Sequence, residues 1–223
     1  MKTGAKAPSL FLAAALALAV LFPSGTSSFI APRPTAAGDI PYPYNNIASG
    51  LVTLSLNLDQ TGAVQSSQVL RNIGGLTSGA ANAASNWSFS PALLKGSPSA
   101  STINVEVVFN PGNPVFQPLQ VSSPQAPASP IPSGYVPPDV TAASFAAYPI
   151  NSIGTGAVVL DVHLDNQGNI MKISPIRQIS SLTAPAIAAV KTWTFQPASY
   201  LGAPVGSHLV VAIVFRAPIA STP

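Results

Sequence analysis

Apolar residues alternate with polar ones along the stretch Val52 to Leu58, where Val52, Leu54, Leu56 and Leu58 stand between Thr53, Ser55 and Asn57. A period of two sends successive side chains to opposite faces, so this stretch predicts a β-strand with one buried face. Asp59-Gln60-Thr61-Gly62 follows. In such a turn the aspartate accepts bonds from the loop backbone and the glycine supplies the left-handed residue of a short hairpin. A second strand begins at Val64. The spacing then becomes helical, with Leu76, Ala80, Ala83, Ala84 and Trp87 sharing one face. Phe89-Ser90-Pro91-Ala92 ends the helix and Gly96 and Pro98 turn the chain. Ile103, Val105, Val107 and Phe109 form a last alternating strand.

The whole pattern recurs without a gap. Tyr42 to Phe109 aligns with Tyr148 to Phe215 at a constant offset of 106, and 26 of the 68 aligned positions are identical. The second copy has its first strand at Val158, Leu160, Val162 and Leu164, and its turn at Asp165-Asn166-Gln167-Gly168. Its second strand begins at Ile170, and its helix carries Leu182, Ala186, Ala189, Val190 and Trp193. Its last strand runs through Leu209, Val211, Ile213 and Phe215. Thr183 is the expected N-cap of that helix, with Pro185 in its first turn. Gly74, Gly75 and Gly79 weaken the helix of the first copy. A shared register of this length means one small domain, duplicated. The expected fold class is α+β: two tandem β-β-α-β domains, each a three-stranded antiparallel sheet with a helix on one face.

The organisation follows. Lys2 and Lys6 precede an apolar run from Leu10 to Phe22, closed by Pro23 and small residues through Ser28. This reads as a secretory signal peptide over 1–28, with an uncleaved anchor as the alternative. A proline-containing lead-in covers 29–41, the first domain 42–109, and a proline-rich linker 110–145. The second domain covers 146–217 and a short tail 218–223. Nine prolines fall between Asn110 and Pro138, suited to extended chain.

Composition narrows the chemistry. Only 7% of residues are charged, and there is no cysteine. Outside the leader the cations are Arg33, Arg71, Lys95, Lys172, Arg177, Lys191 and Arg216, scattered and forming no stripe. Nucleic acid is therefore not an expected partner. Zero cysteines exclude disulfides and thiolate metal sites. His163 and His208 have no copies in the first repeat, where Asn57 and Thr102 stand, and lack carboxylates at ligand spacing, so no metal is expected. No serine lies in a nucleophile-elbow or Ser-x-x-Lys setting and no glycine-rich phosphate loop occurs. Asp59 and Asp165 have turn roles rather than a shared acid–base role. Neither an enzyme, a cofactor nor a small-molecule substrate is expected.

Tyr-Pro, Gly-x-Val-x-Leu, Asp-x-x-Gly, the Leu-to-Ala helix, Trp-x-Phe-x-Pro-Ala, Gly-x-Pro and an alternating strand ending in Phe resemble, in both copies, the TonB C-terminal domain. The resemblance implies a periplasmic domain that captures a peptide of an outer-membrane transporter by adding it as a strand to a sheet edge. The apolar run from Leu10 to Phe22 is shorter than the membrane anchor of energy-transducing members and carries no His, and the Pro-rich stretch lies between the repeats instead of forming their Pro-Glu and Pro-Lys spacer. With the first strand central, the third strand of each domain would be an edge with unpaired backbone groups. The candidate partner-binding residues are therefore Ile103, Val105, Val107 and Phe109, and Leu209, Val211, Ile213 and Phe215. These strands either capture a guest or pair with each other or with another protomer. Trp87 and Trp193 are expected in the core; Tyr42 and Tyr148 cap the core or line a partner groove. The expected function is that of an exported, non-catalytic envelope protein binding extended segments of envelope partners, among them outer-membrane transporters. Its alternatives are a scaffold with self-paired domains and, were the leader an uncleaved anchor, a motor-coupled energy transducer.

Overall fold

The computed structural model describes residues 28–43, 45–112, 115, 117–126 and 134–216. The expected leader up to Ser27, the tail and the linker residues 127–133 lie outside them. Six principal strands and two helices carry the fold: β1 (Gly50–Leu58), β2 (Val64–Arg71), α1 (Thr77–Ala84) and β3 (Ser101–Asn110) in the first repeat, then β4 (Gly156–Leu164), β5 (Ile170–Arg177), α2 (Thr183–Val190) and β6 (Ser207–Phe215). The principal strands form one sheet in the order β5-β4-β6-β3-β1-β2. Within each repeat the first strand is central and the pairings are antiparallel. The repeats join through β3 and β6, which run parallel, Val210 opposite Val105 and Phe215 opposite Asn110.

The parallel junction decides the rest of the architecture. Two copies with parallel third strands are related by a pseudo-twofold axis along the strands, which turns their helices to opposite faces. Val52, Leu54, Leu56, Ile103, Val105 and Val107 pack under α1, together with Val159, Val210 and Ala212 of the other repeat. Leu160, Val162, Val211 and Ile213 pack under α2, with Leu51 and Val108 of the first. Both faces of the middle strands are therefore covered, and every residue of β3 is buried. The expectation of strands with a single buried face is corrected accordingly. A strand with neighbours on both edges and layers on both faces has no solvated side.

The turns behave as expected. Asp59 Oδ1 accepts from Thr61 N at 2.8 Å and Ala63 N at 3.1 Å, and Asp165 Oδ1 from Gln167 N and Asn169 N, each at 2.8 Å. Gly62 has φ +85°, and a Cβ there would stand 2.1 Å from the Phe89 carbonyl oxygen. The helices differ from expectation at their starts. Thr183 is the first helical residue rather than the N-cap, and its Oγ1 accepts from Ile179 N at 3.0 Å and donates to Ile179 O at 2.9 Å. Thr77 makes the same pair of bonds with Ile73. The threonine closes the turn that precedes the helix. Both helices have eight residues, and of the three glycines only Gly79 lies inside α1.

The β-β-α-β description leaves out short strands. Between α1 and β3 come Ser88–Ser90, Ala92–Leu94 and Ser97–Ser99, and between α2 and β6 come Thr194–Gln196, Ala198–Tyr200 and Ala203–Val205. Arg33–Ala36 of the lead-in pairs with Ser88–Ser90, and Phe29–Ile30 with Ala92–Leu94. Within the stretch expected as linker, Tyr135–Val136 pairs with Ala198–Tyr200 and Asp139–Phe145 with Thr194–Gln196. The lead-in is thus part of the repeat. The offset of 106 continues through it, with Pro32, Thr35, Ala36 and Ala37 matching Pro138, Thr141, Ala142 and Ala143. Phe29 joins the two ends, its ring 4.7 Å from both Tyr135 and Tyr200.

Gly62→Ala combines a left-handed backbone with a collision against main chain, whereas Gly96→Ala at φ +80° meets only the first, since nothing lies within 4 Å of a Cβ there. Gly96→Ala is expected to cost about 1–2 kcal/mol and Gly62→Ala clearly more. Urea denaturation of both variants checks this; equal losses would remove the close-approach account.

Candidate functional site: the buried junction of the repeats

The candidate partner-binding strands lie at the middle of the sheet. Ile103, Val105, Val107, Phe109, Leu209, Val211 and Ile213 are 0% exposed and Phe215 is 1% exposed. Each strand is hydrogen-bonded on both sides, β3 between β1 and β6, and β6 between β4 and β3. The expected open edges are therefore closed, and of the two uses considered for them the structure has the mutual pairing. The physical reason is that an edge strand leaves a row of unpaired backbone donors and acceptors, and the other repeat supplies their partners. The outer edges of the sheet are β2 and β5 instead.

Charged and polar residues collect beside this junction on the α2 face. Arg71, 5% exposed, holds Asp139 through two bonds of 2.7 Å. Its Nε donates to Ser122 O at 2.7 Å, its Nη1 to Thr53 Oγ1 at 2.9 Å and its Nη2 to Val140 O at 3.2 Å. One guanidinium thereby ties β2 to β1, to the linker and to the lead-in of the second repeat. Glu106, opposite Thr53 on β1 and Val211 on β6, accepts a short bond from Thr53 Oγ1. Its other oxygen stands 3.8 Å from Arg71 Nη1 and has no hydrogen-bond partner among the described residues. Burial pushes the Glu106 carboxyl up to about 8, against the hydrogen bond from Thr53 and the attraction of Arg71. The mirrored contact is looser: Arg177, the copy of Arg71, lies 3.3 Å from Asp39 of the first lead-in, which also accepts from Ala157 N at 2.8 Å. In each case an arginine of one repeat meets a lead-in carboxylate of the other.

A groove of 510 Å³ opens next along the same face, with Ser55 and Asn104 on the sheet and Pro137, Gln196 and Ser199 above it. Asn104 Nδ2 donates to Pro138 O at 3.0 Å, and its Oδ1 has no partner among the described residues. A second cavity of 420 Å³ lies among Asp39, Tyr42, Asn46, Thr155 and Arg216. Tyr42 packs edge-on against Phe109 at 5.3 Å, and its hydroxyl donates to Ala48 O. Tyr148 is 2% exposed, its hydroxyl donating to Gly154 O at 2.8 Å; it belongs to the core and, like Tyr42, also borders a cavity, there with Pro149 and Ala188. Trp87 and Trp193 are core residues, each 4% exposed.

His163 and His208 stack with ring centroids 4.7 Å apart, and His208 Nδ1 lies 2.7 Å from Asp161 Oδ1. Burial and the neighbouring His208 hold His163 below its ordinary value. No cluster of three His, Cys, Asp or Glu residues suited to a metal ion occurs among the described residues. Asp59 and Asp165 lie in separate turns, both carboxyls held low, first by side-chain bonds from Thr61 and Asn169.

Residues 42–111 and 152–217 match the family described as Gram-negative bacterial TonB protein C-terminal, together more than half of the chain. The chain belongs to the TonB C-terminal family. It carries two tandem copies, is a TonB-like envelope protein, and its family is one of non-enzymatic protein-interaction domains. No curated protein and no solved structure matches it. No helix among the described residues is long and apolar enough to cross a membrane. In this TonB C-terminal pair, sequence reading missed Arg71, Glu106 and the lead-in carboxylates. The available signals were the identity of Arg71 and Arg177 in register and a glutamate set between Val105 and Val107 in a strand.

The raised Glu106 carboxyl gives stability a pH dependence of definite sign. Below pH 4.5 the group is protonated folded and unfolded; between there and about 8 the native state keeps a proton that the unfolded chain has released. This contribution is therefore complete at low pH and lost as pH rises through that window, at a slope of at most ~1.4 kcal/mol per unit. Glu106→Gln is expected to flatten the decline, and denaturant melts from pH 5 to 9 check it. A decline of unchanged slope in the variant would show that Glu106 is ionised in the fold.

Proposed function

We propose that the two repeats act as one rigid, non-catalytic adaptor of the Gram-negative envelope, a scaffold built on mutually paired third strands. One observation supports this reading above others: the parallel β3–β6 junction uses the strand edges that would otherwise receive a guest. The Arg71–Asp139 contact, from one repeat to the lead-in of the other, braces the same junction from one side, and Arg177–Asp39 from the other. Capture of an extended segment of an outer-membrane transporter on β3 or β6 is the second reading. Family membership favours it, and it requires the repeats to separate first. Motor coupling depends on the leader, which lies outside the described residues.

A disulfide across the junction separates these readings. Val107 and Ala212 are direct neighbours on β3 and β6, and the chain has no cysteine of its own. Val107→Cys with Ala212→Cys is expected to lock the pair with normal disulfide geometry. Pull-downs from detergent-solubilised envelope with the locked and the reduced protein should recover the same partners. A transporter recovered only by the reduced form would overturn the scaffold and establish guest capture on the third strands.

A further inference from the structure

The chain has two histidines, and the fold stacks one on the other. They stand directly opposite on β4 and β6, with rings 4.7 Å apart and within 6° of parallel. His208 Nδ1 lies 2.7 Å from Asp161 Oδ1, and these two side chains are 19% and 12% exposed. None of the three residues is copied in the first repeat, which has Ser55, Asn57 and Thr102, with Asn57 again opposite Thr102. Asn57 Nδ2 there donates to Ser66 Oγ at 2.8 Å, where the second repeat sets Lys172 beside His163. The strand pairing is the same in both copies, so the fold does not require titratable groups at these positions. Three differences between the repeats thus meet at one point of the α1 face. The charged groups around His163 are Asp161 on its own strand, Lys172 on β5 and His208 on β6. The lead-in strand Arg33–Ala36, packed on β5 and β6, adds Arg33 and no carboxylate, and α1 carries no charge.

We propose that Asp161, His163 and His208 form a proton-sensitive clasp between β4 and β6, closed while the stacked rings carry at most one positive charge and opened when both are charged. Asp161 balances one imidazolium, and a neutral ring offers its face to a charged one. A second proton sets two like charges 4.7 Å apart, with Lys172 adjacent and a single carboxylate to offset three cations. Repulsion at that distance is strong where water is partly excluded. The clasp holds the last pairs of its ladder, His163 with His208 and Leu164 with Ser207, just before the Asp165 turn. The repeat junction begins beyond it, at Val210 opposite Val105, so opening frays the end of β4 and the start of β6 and leaves the junction in place. Burial first, then His208, hold His163 below its ordinary value, so the fold favours the neutral ring. The stability it contributes is present above the ordinary histidine value of 6.5 and is lost as pH falls below it. The paired molecule thus carries one domain with an acid-responsive clasp and one without.

The test is NMR of the full chain from pH 8 to pH 4.5, following the two histidine ring signals and amide hydrogen exchange corrected for its intrinsic pH dependence. Exchange at Val162–Leu164 and Ser207–Leu209 is expected to quicken as His163 takes up its proton, by up to about tenfold per pH unit, the limit for a single proton. The matching residues 56–58 and 101–103 should show no such change. His208→Thr should raise the midpoint of His163, because it removes a neighbouring positive charge. His163→Asn, which keeps the His208–Asp161 contact, should abolish the acceleration. The triple variant Asp161→Ser, His163→Asn, His208→Thr installs the set with which the first repeat already forms its sheet, and should abolish it too. Acceleration that persists in either of these two variants, a His163 midpoint unmoved by loss of His208, exchange that stays slow once both rings are charged, or equal acceleration in the first repeat would each overturn the clasp. Glu106 titrates with the opposite sign, losing its contribution as pH rises, and so does not mimic the response.

Discussion

A buried strand in the third position of a small sheet has two needs at once. Its side chains require cover on both faces, and its outer backbone groups require hydrogen-bond partners. In β3 and β6 nearly every residue is buried, so water can meet neither need. Each strand meets them by lying against the other. The parallel β3–β6 contact is the constraint on which the remaining structure depends, because it joins the two repeats edge to edge and places their helices on opposite sides of one sheet.

Once the helices are on opposite sides, each leaves the far half of its face open. The lead-in and the short strands after each helix extend over that half. This explains why segments poor in helix or strand signal, such as Asp139–Phe145, are ordered. It also explains why polar residues written into a nominally solvated face, among them Thr53, Asn104, Glu106 and Asp161, end up buried. Buried polar groups need partners, and Arg71 provides several of them at one point. Among the described residues Glu106 Oε1 and Asn104 Oδ1 are left without hydrogen-bond partners, at positions where the second repeat has Ala212 and Val210.

Much of this was legible from residues alone. Alternation located β1, β3, β4 and β6, the Asp-x-x-Gly turns were correctly assigned a structural role, and the Trp residues were placed in the core. The third-strand candidates were identified as the strands that matter for association, yet their exposure was not visible. A strand pattern reports which residues are apolar; it does not report which chain occupies the neighbouring position. The lead-ins escaped notice because short strands with proline and alanine carry almost no periodicity. The duplicated register was the signal that could have found them.

The sequence by itself determined the repeat, the position of its principal strands along the chain and its family, since these rest on local patterning and on motifs held in a constant register. Only the tertiary structure decided that the two copies form a single sheet with a buried ionic cluster and a groove at their junction. Those features come from contacts between Arg71 and Asp139, Glu106 and Thr53, and Val105 and Val210. Two of the three join residues of different repeats, and no local periodicity encodes the distance between such residues.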